Sequence, residues 1–313
     1  MKQLVDHSNT IIITDENVFS NHGNKFKGWR TIVIKAGEQY KVQPTVNSII
    51  EQLIEYRADR KTTLIGVGGG VITDLTGYIA SIYMRGISFG FVPTSLLSMV
   101  DASIGGKNGI DVGLYKNMVG IIRQPEFLLY DISFLATLPD NELRNGFAEI
   151  IKHACIKDAV MFKELESHSF MYYKRRKNLL SKLIERNSFL KTRIVQKDEY
   201  EKGDRKLLNF GHTIGHALEN QYKLSHGQAI SIGMVYASGI SSSLLRFKHK
   251  DRVSAVLESY GLPTAIQLDK DEVIKVLKMD KKKDKEFINF ILLKKLGGAI
   301  IKELPIDQIY SFL

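Results

Sequence analysis

His212 and His216 stand four residues apart in the stretch Leu208-Asn209-Phe210-Gly211-His212-Thr213-Ile214-Gly215-His216-Ala217-Leu218-Glu219. On a helix that spacing puts both imidazoles on one face, one turn apart. Ile214, Ala217 and Leu218 keep helical spacing, so a helix is expected from Thr213 onward. His226, in Ser225-His226-Gly227, follows a short polar connection and opens a second apolar run. Three converging imidazoles would hold a divalent metal. Two hydrogen-bonded helix histidines and one loop histidine fit the same pattern, and H-x-x-x-H alone does not decide between the two. An oxygen donor comes from Gly146-Phe147-Ala148-Glu149-Ile150-Ile151-Lys152-His153, where Glu149 and Lys152 share a helix face. An exposed ion pair is one account of these two. The apolar residues around them leave little room for a wholly exposed face. A Glu-His-His set with one open position is the pattern of catalytic zinc.

A second constellation lies earlier. The apolar run Thr62-Thr63-Leu64-Ile65-Gly66-Val67 enters Gly68-Gly69-Gly70 and then a helical pattern through Asp74 and Gly77. A strand, a glycine turn and a helix N-terminus form a phosphate site, because backbone N–H groups point outward and no Cβ blocks approach. The turn is not a full G-x-G-x-x-G fingerprint, since Val71 fills the last position. Pyrophosphate binding and plain tight packing both fit it. From Pro93 to Gly109 and from Tyr115 to Gly120, hydroxyls, Asp101, Lys107 and Lys116 fall among glycines. Leu96, Leu97, Met99, Val100 and Ile104 between them argue for a ligand segment over a solvated loop.

The elements that must position these residues follow from periodicity. Thr10–Ile13, Thr31–Ile34, Thr62–Val67, Phe89–Val92 and Phe127–Tyr130 are expected strands, and Thr45–Tyr56 an amphipathic helix. Strands alternating with helices imply an open, mostly parallel, Rossmann-like α/β sheet. After Leu138-Pro139-Asp140 the pattern turns helical: Glu142–Lys157, Leu179–Val195, His212–Gln221, Ala229–Leu245, Lys250–Tyr260 and Asp271–Lys278. One strand, Phe287–Leu293, is expected near the end. The reading is an α/β nucleotide-binding domain over 1–138 and a mainly α-helical domain over 139–313.

With 313 residues, 44% hydrophobic and 25% charged, the chain fits a globular protein of two domains. No apolar run reaches the roughly 18 residues of a membrane span, and the N-terminus lacks a signal-peptide core. A single cysteine, Cys155, set between Ala154 and Ile156, fits a buried thiol in a reducing compartment. A cytoplasmic location is expected. The net charge of +10 fits either a nucleic-acid surface or a pocket for a small polyanion. Lys174-Arg175-Arg176-Lys177 is expected to be a solvated helix face. The other basic residues are scattered among apolar and glycine-rich stretches, which suits a pocket, so no nucleic-acid partner is expected.

The motifs GGGVITDLTG, PTSLLSMVDASIGGKNGID, YKNMVG, GFAEIIKHA, KDEYEKGDRKLLNFGHTIGHALE, HGQAI and MDKKKD occur in the order seen in 3-dehydroquinate synthases. The resemblance runs from Ala36 to about Asp284. It implies conversion of 3-deoxy-D-arabino-heptulosonate 7-phosphate, a phosphorylated sugar acid, to 3-dehydroquinate and phosphate in the shikimate pathway. It also implies NAD, zinc or cobalt, and a homodimer. Metal ligands carried across by the motifs are Glu149, His212 and His226, with His216 facing the substrate. The cofactor set is Asp15, Gly37, Glu38, Lys41, Gly69, Gly70, Asp74, Thr94, Ser95, Asp101, Lys107, Lys116, Phe134, Thr137, Leu138 and Glu142. The substrate set is Arg85, which the resemblance assigns to the neighbouring subunit's site, with Asp101, Lys107, Asn117, Lys152, Lys197, Arg205, Asn209, His216 and one of Lys281 or Lys282, Lys282 being preferred.

What the resemblance implies chemically is a transient oxidation at C5, β-elimination of phosphate, re-reduction, ring opening and aldol closure. The metal binds the C4 and C5 hydroxyls. Net redox is zero, and the substrate phosphate is expected to share in proton removal. Thr73 stands where the family usually has glycine, and Gln228 where it commonly has glutamate. Two sister chemistries compete: a cyclase making an inosose or valiolone ring, and a metal-dependent polyol dehydrogenase. Asn209, Arg205, Lys152 and Asn117 together favour a carboxylate-bearing substrate over the first. The number of substrate lysines disfavours the second.

Overall fold

The computed structural model describes residues 3–113, 115–279 and 287–313. It divides into two compact units, Met1–Leu143 and Arg144–Leu313. In the first unit, strands β1 (Thr10–Asp15), β2 (Arg30–Ile34), β3 (Thr63–Gly68) and β4 (Ser88–Pro93) form a sheet of order β2-β1-β3-β4, parallel throughout. Side chains alternate between faces. Ile11, Ile13, Leu64 and Phe89 pack with Val46, Ile49 and Leu53 of α2 (Gln43–Glu55) and with Ile72, Leu75 and Ile79 of α3 (Gly70–Ile82). Ile12, Ile65, Val67 and Val92 meet Phe26 and Phe134 on the other face. Cover on both faces is why these strands read as unbroken apolar runs. Helix α1 (Glu16–His22) links β1 to β2.

One expectation for this unit needs correction. Phe127–Tyr130 is not a strand of its own; it meets β4 at one bridge, Leu128 to Phe91, with Leu129 N donating to the Phe91 carbonyl at 2.9 Å. It lies just after Pro125, and a short 3-10 helix begins at Ile132, so little chain remains to pair. The glycine-rich ligand segment also holds two strands that were not among those expected. β5 (Lys107–Val112) and β6 (Tyr115–Ile122) form an antiparallel hairpin. Gly109 pairs with Gly120 so closely that a Cβ on Gly120 would sit 2.4 Å from the Asn108 carbonyl oxygen. The glycines here serve close strand contact.

The second unit is mostly helical: α4 (Asp140–Lys157, begun before the division), α5 (Ala159–Glu166), α6 (Phe170–Lys174), α7 (Lys177–Lys197), α8 (His212–Tyr222), α9 (His226–Leu245), α10 (Lys250–Ser259), α11 (Lys270–Met279) and α12 (Ile306–Tyr310). The basic run at 174–177 straddles the break between α6 and α7 and is not one helix face. The expected late strand is half of a hairpin, β7 (Phe287–Lys295) with β8 (Gly298–Pro305). β8 was not expected because Lys302 and Glu303 interrupt its apolar residues. Cys155 is fully buried in α4, and burial pushes its thiol up.

Glycines bring α8 and α9 together. Gly211 caps α8 at φ +81°, the left-handed region that favours glycine. A Cβ on Gly233 would lie 1.9 Å from the Gly211 carbonyl oxygen. Backbone therefore meets backbone at the start of α8, and the first residue of each helix is a histidine.

Candidate metal centre and cofactor turn

His212 opens α8, His226 opens α9 rather than lying in a loop, and Glu149 sits within α4. One ligand atom from each lies within 4.8 Å of the others. His226 Nε2 is 3.2 Å and His212 Nε2 3.6 Å from Glu149 Oε1. Ligands of a tetrahedral zinc, each about 2.05 Å from the ion, are about 3.3 Å apart, so the donor set and spacing fit such a cation. The other ring nitrogens are held as well. His212 Nδ1 lies 3.2 Å from the Phe210 carbonyl, and His226 Nδ1 lies 3.4 Å from Glu219 Oε2. Both partners are acceptors, so each Nδ1 carries hydrogen and each Nε2 faces Glu149.

Charge around the site is buried. Glu149 is 0% exposed, and its Oε2 is paired with the ammonium of Lys152, one turn on and also buried. Burial, followed by the Lys152 charge, holds the His212 imidazole well below its ordinary value, in the neutral ligand form. Burial opposes charge on His226 too, but hydrogen bonds to Glu149 and Glu219 outweigh it and lift the ring to about 9.

Beside this centre lies a cavity of about 510 Å³ whose lining includes Tyr200, Glu201, Lys206, Asn209, His212 and His216. His216 is exposed, its ring 5.1 Å from that of His212. Asn209 Nδ2 donates to Glu201 Oε1 at 2.6 Å. Arg205 is buried, its guanidinium donating to the Glu199 carbonyl and its backbone N to Asp198 Oδ2 at 3.0 Å. Lys197 is exposed in the last turn of α7. Lys191, on the same helix, is buried. Helical phase could have separated them, because Lys191 stays in step with Leu180, Leu183, Ile184, Asn187 and Ile194. Glu201, Glu219 and Asn145 were also missed. Lys281 and Lys282 lie outside the described residues.

In the first unit, Gly69 caps α3 and Gly70 begins it, with the loop after β4 packed against the turn. Thr94 N donates to the Gly68 carbonyl at 2.9 Å, and a Cβ on Gly69 would meet Ser95 Oγ at 3.4 Å. Thr73 is buried within α3 and its hydroxyl donates to the Gly70 carbonyl at 2.9 Å, so its side chain turns into the helix. Lys41 is buried. Its ammonium is paired with Asp74 and donates to Asn117 Oδ1 at 2.5 Å. Asn117 N in turn donates to Asp111 Oδ1 at 2.7 Å. Burial pushes Asp74 up to about 6 against the pull of Lys41. Lys41 thus ties α3 to the hairpin, a role its position in the sequence did not reveal.

The remaining candidates are more dispersed. Gly37, at φ +121°, precedes a short 3-10 helix containing exposed Glu38. Asp15 caps α1, accepting from Val18 N at 2.9 Å, and burial raises its carboxyl. Thr137 Oγ1 lies 2.7 Å from His22 Nε2, and Phe134 stacks edge-on against His22 at 4.7 Å. Leu138 ends that 3-10 turn and Glu142 lies in the first turn of α4. Asp101 sits in a π-helical turn, Ser98–Ala102. Lys107, Lys116 and Arg85 are exposed.

Two family models match in succession: the 3-dehydroquinate synthase N-terminal model over residues 31–145 and the C-terminal model over 146–283. The chain belongs to the 3-dehydroquinate synthase family. Among solved structures it is similar to 2-epi-5-epi-valiolone synthase from Streptomyces hygroscopicus subsp. jinggangensis, which has NAD+ and Zn2+ bound. The two are 27% identical with a TM-score of 0.89, over 97% of this chain and 90% of that one. A 2-deoxy-scyllo-inosose synthase complexed with carbaglucose-6-phosphate, NAD+ and Co2+ matches at TM-score 0.86 and 24% identity, over 99% and 92% of the two chains. Sulfoacetaldehyde reductase from Bifidobacterium kashiwanohense, in complex with NAD+, matches at 0.64 and 13% identity, over 86% and 84%. These last two likenesses are of fold. Among the described residues no helix is long and apolar enough to cross a membrane.

Proposed function

We propose that the chain is a 3-dehydroquinate synthase that converts 3-deoxy-D-arabino-heptulosonate 7-phosphate to 3-dehydroquinate and phosphate. The observation that carries this reading is the convergence of Glu149, His212 and His226 beside a cavity lined by Asn209 and His216. Zinc or cobalt on that triad would lower the cost of an alkoxide at the substrate hydroxyls, and NAD at the glycine turn of α3 would take and return one hydride. The chain's own residues position and neutralise. Lys152 holds Glu149 Oε2, which leaves Oε1 turned toward the histidines. Glu201 orients the Asn209 amide, and His216 offers a hydrogen-bonding ring at the cavity wall. Buried Lys191 replaces Lys197 in the substrate set, because a buried ammonium meets a carboxylate or phosphate with little screening. Asp15, Gly37, Glu38, Lys116, Phe134, Thr137, Leu138 and Glu142 remain cofactor candidates in this reading. Arg85, Asp101, Lys107, Asn117 and Arg205 remain candidates of the substrate set. A cytoplasmic homodimer belongs to the reading and is checked by light scattering of the purified protein.

The 27% identity with a valiolone synthase supports a second reading, in which the same centre cyclises a sugar phosphate without a carboxylate. Phosphate release separates the cases. With the heptulosonate and substoichiometric NAD, inorganic phosphate is expected to equal the substrate supplied. NADH accumulating in step with turnover would refute any cyclase. Turnover only of sugar phosphates lacking the carboxylate would favour the second reading.

A further inference from the structure

Two residues outside the ligand triad converge on His226. Asn145 lies on α4 one turn before Glu149, on the same face, and is buried. Its Oδ1 accepts from Ser225 Oγ at 2.7 Å and from Gly227 N at 3.2 Å, the residues on either side of His226. A Cβ on Gly227 would lie 2.5 Å from Asn145 Cα, so the start of α9 is seated directly on α4. The same face of α4 therefore carries one ligand and grips the backbone that carries another. The ring is held separately by Glu219, from α8, at His226 Nδ1. The backbone anchor fixes where the imidazole starts, and the carboxylate fixes how it is turned.

We propose that Asn145 and Glu219 are positioning residues that together set His226 in its ligand pose and so determine metal affinity. The proposal rests on the reading of Glu149, His212 and His226 as a metal centre. The geometry is specific about chemistry. The two bonds that reach the start of α9 both end on Asn145 Oδ1, an acceptor that alanine lacks. Glutamine keeps an acceptor toward His226 Nδ1 that alanine at 219 removes. Partners of this kind, which orient a ligand without touching the metal, typically change affinity about 10- to 100-fold when lost.

The test measures zinc affinity of the metal-free full chain by competition with a chromophoric chelator, with circular dichroism to verify folding. Asn145→Ala and Glu219→Ala are expected to weaken zinc binding about 10- to 100-fold. Glu219→Gln is expected to recover most of the loss at that position. Folded alanine variants that bind zinc as the wild type does would overturn the proposal, even if their melting temperatures fall. Should Asn145→Ala not fold, wild-type affinity in Glu219→Ala alone overturns it. His226→Ala tests the underlying centre: equal zinc uptake by wild type and His226→Ala would remove the metal reading itself. Loss in His226→Ala with no change in the other variants would remove only the positioning roles.

Discussion

Replacing Lys41 with methionine isolates the buried pair with Asp74. Lys41 is 4% exposed and the Asp74 side chain 17%, so neither charge is well solvated. Removing one partner of a buried pair typically costs about 3–5 kcal/mol, because the other charge is left uncompensated. The residual exposure of Asp74 places Lys41→Met at the lower end, about 3 kcal/mol. Asp74→Asn removes the carboxylate, and the double variant should be more stable than the sum of the singles predicts, by about 2 kcal/mol. The pH dependence has a definite sign. Asp74 rises from 3.8 to about 6 on folding, so the native state keeps a proton that the unfolded chain has lost in that window. This carboxyl's contribution to stability is full below 3.8 and declines as pH rises through about 6, by about 3 kcal/mol for that separation. Without Lys41 opposing burial, the folded value climbs further. The cost of Lys41→Met is then small at acid pH and grows above about 6. Urea unfolding of wild type, both singles and the double, at several pH values, reads all of this. Additive effects, or a cost of Lys41→Met that is independent of pH, would refute the pairing argument.

Gly233→Ala is expected to cost more than about 3 kcal/mol, since its Cβ would meet the Gly211 carbonyl backbone; a melting curve matching wild type would contradict the contact between α8 and α9. Ser225 and Gln228 form a capping box at the start of α9, with Ser225 N donating to Gln228 Oε1 at 3.0 Å. Glutamate satisfies the same box and adds charge favourable at a helix N-terminus, so Gln228→Glu should stabilise by about 0.3–1 kcal/mol; destabilisation in thermal melts would speak against it. Lys191→Met should lower kcat/KM for the phosphorylated substrate by about tenfold or more, the worth of one charged hydrogen bond, while Lys197→Met leaves it nearly unchanged. Steady-state kinetics with the reverse pattern would restore Lys197 to the site.

The sheet was legible because its strands are covered on both faces and so appear as unbroken apolar runs. The β5–β6 hairpin was not, because close strand contact demands the glycines that elsewhere signal a loop, as at Gly109 and Gly120. At the metal centre the spacing of the histidines suggested His212 and His216 together, whereas the family resemblance implied Glu149, His212 and His226, whose ligand atoms lie close together in the structure. What spacing could not convey is how they are held. Asn145 is 80 residues from Ser225, and its contact with α9 exists only once α4 packs there. Lys41 has the same difficulty: a lysine in Ala36-Gly37-Glu38-Gln39-Tyr40-Lys41 looks free for a ligand until Asp74 and Asn117 are brought to it. Lys197 was singled out by its place in a motif, which carries no information about burial along α7, where Lys191 is the buried lysine.

The central claim is tested most directly by product identification. The purified protein, with zinc and substoichiometric NAD, is incubated with 3-deoxy-D-arabino-heptulosonate 7-phosphate and, in parallel, with sugar phosphates lacking the carboxylate, and the products are assigned by NMR. The account predicts 3-dehydroquinate and an equal amount of phosphate from the heptulosonate, and no carbocycle from the others. A carbocycle formed only from the carboxylate-free substrates, or no carbocycle from any of them, would contradict it.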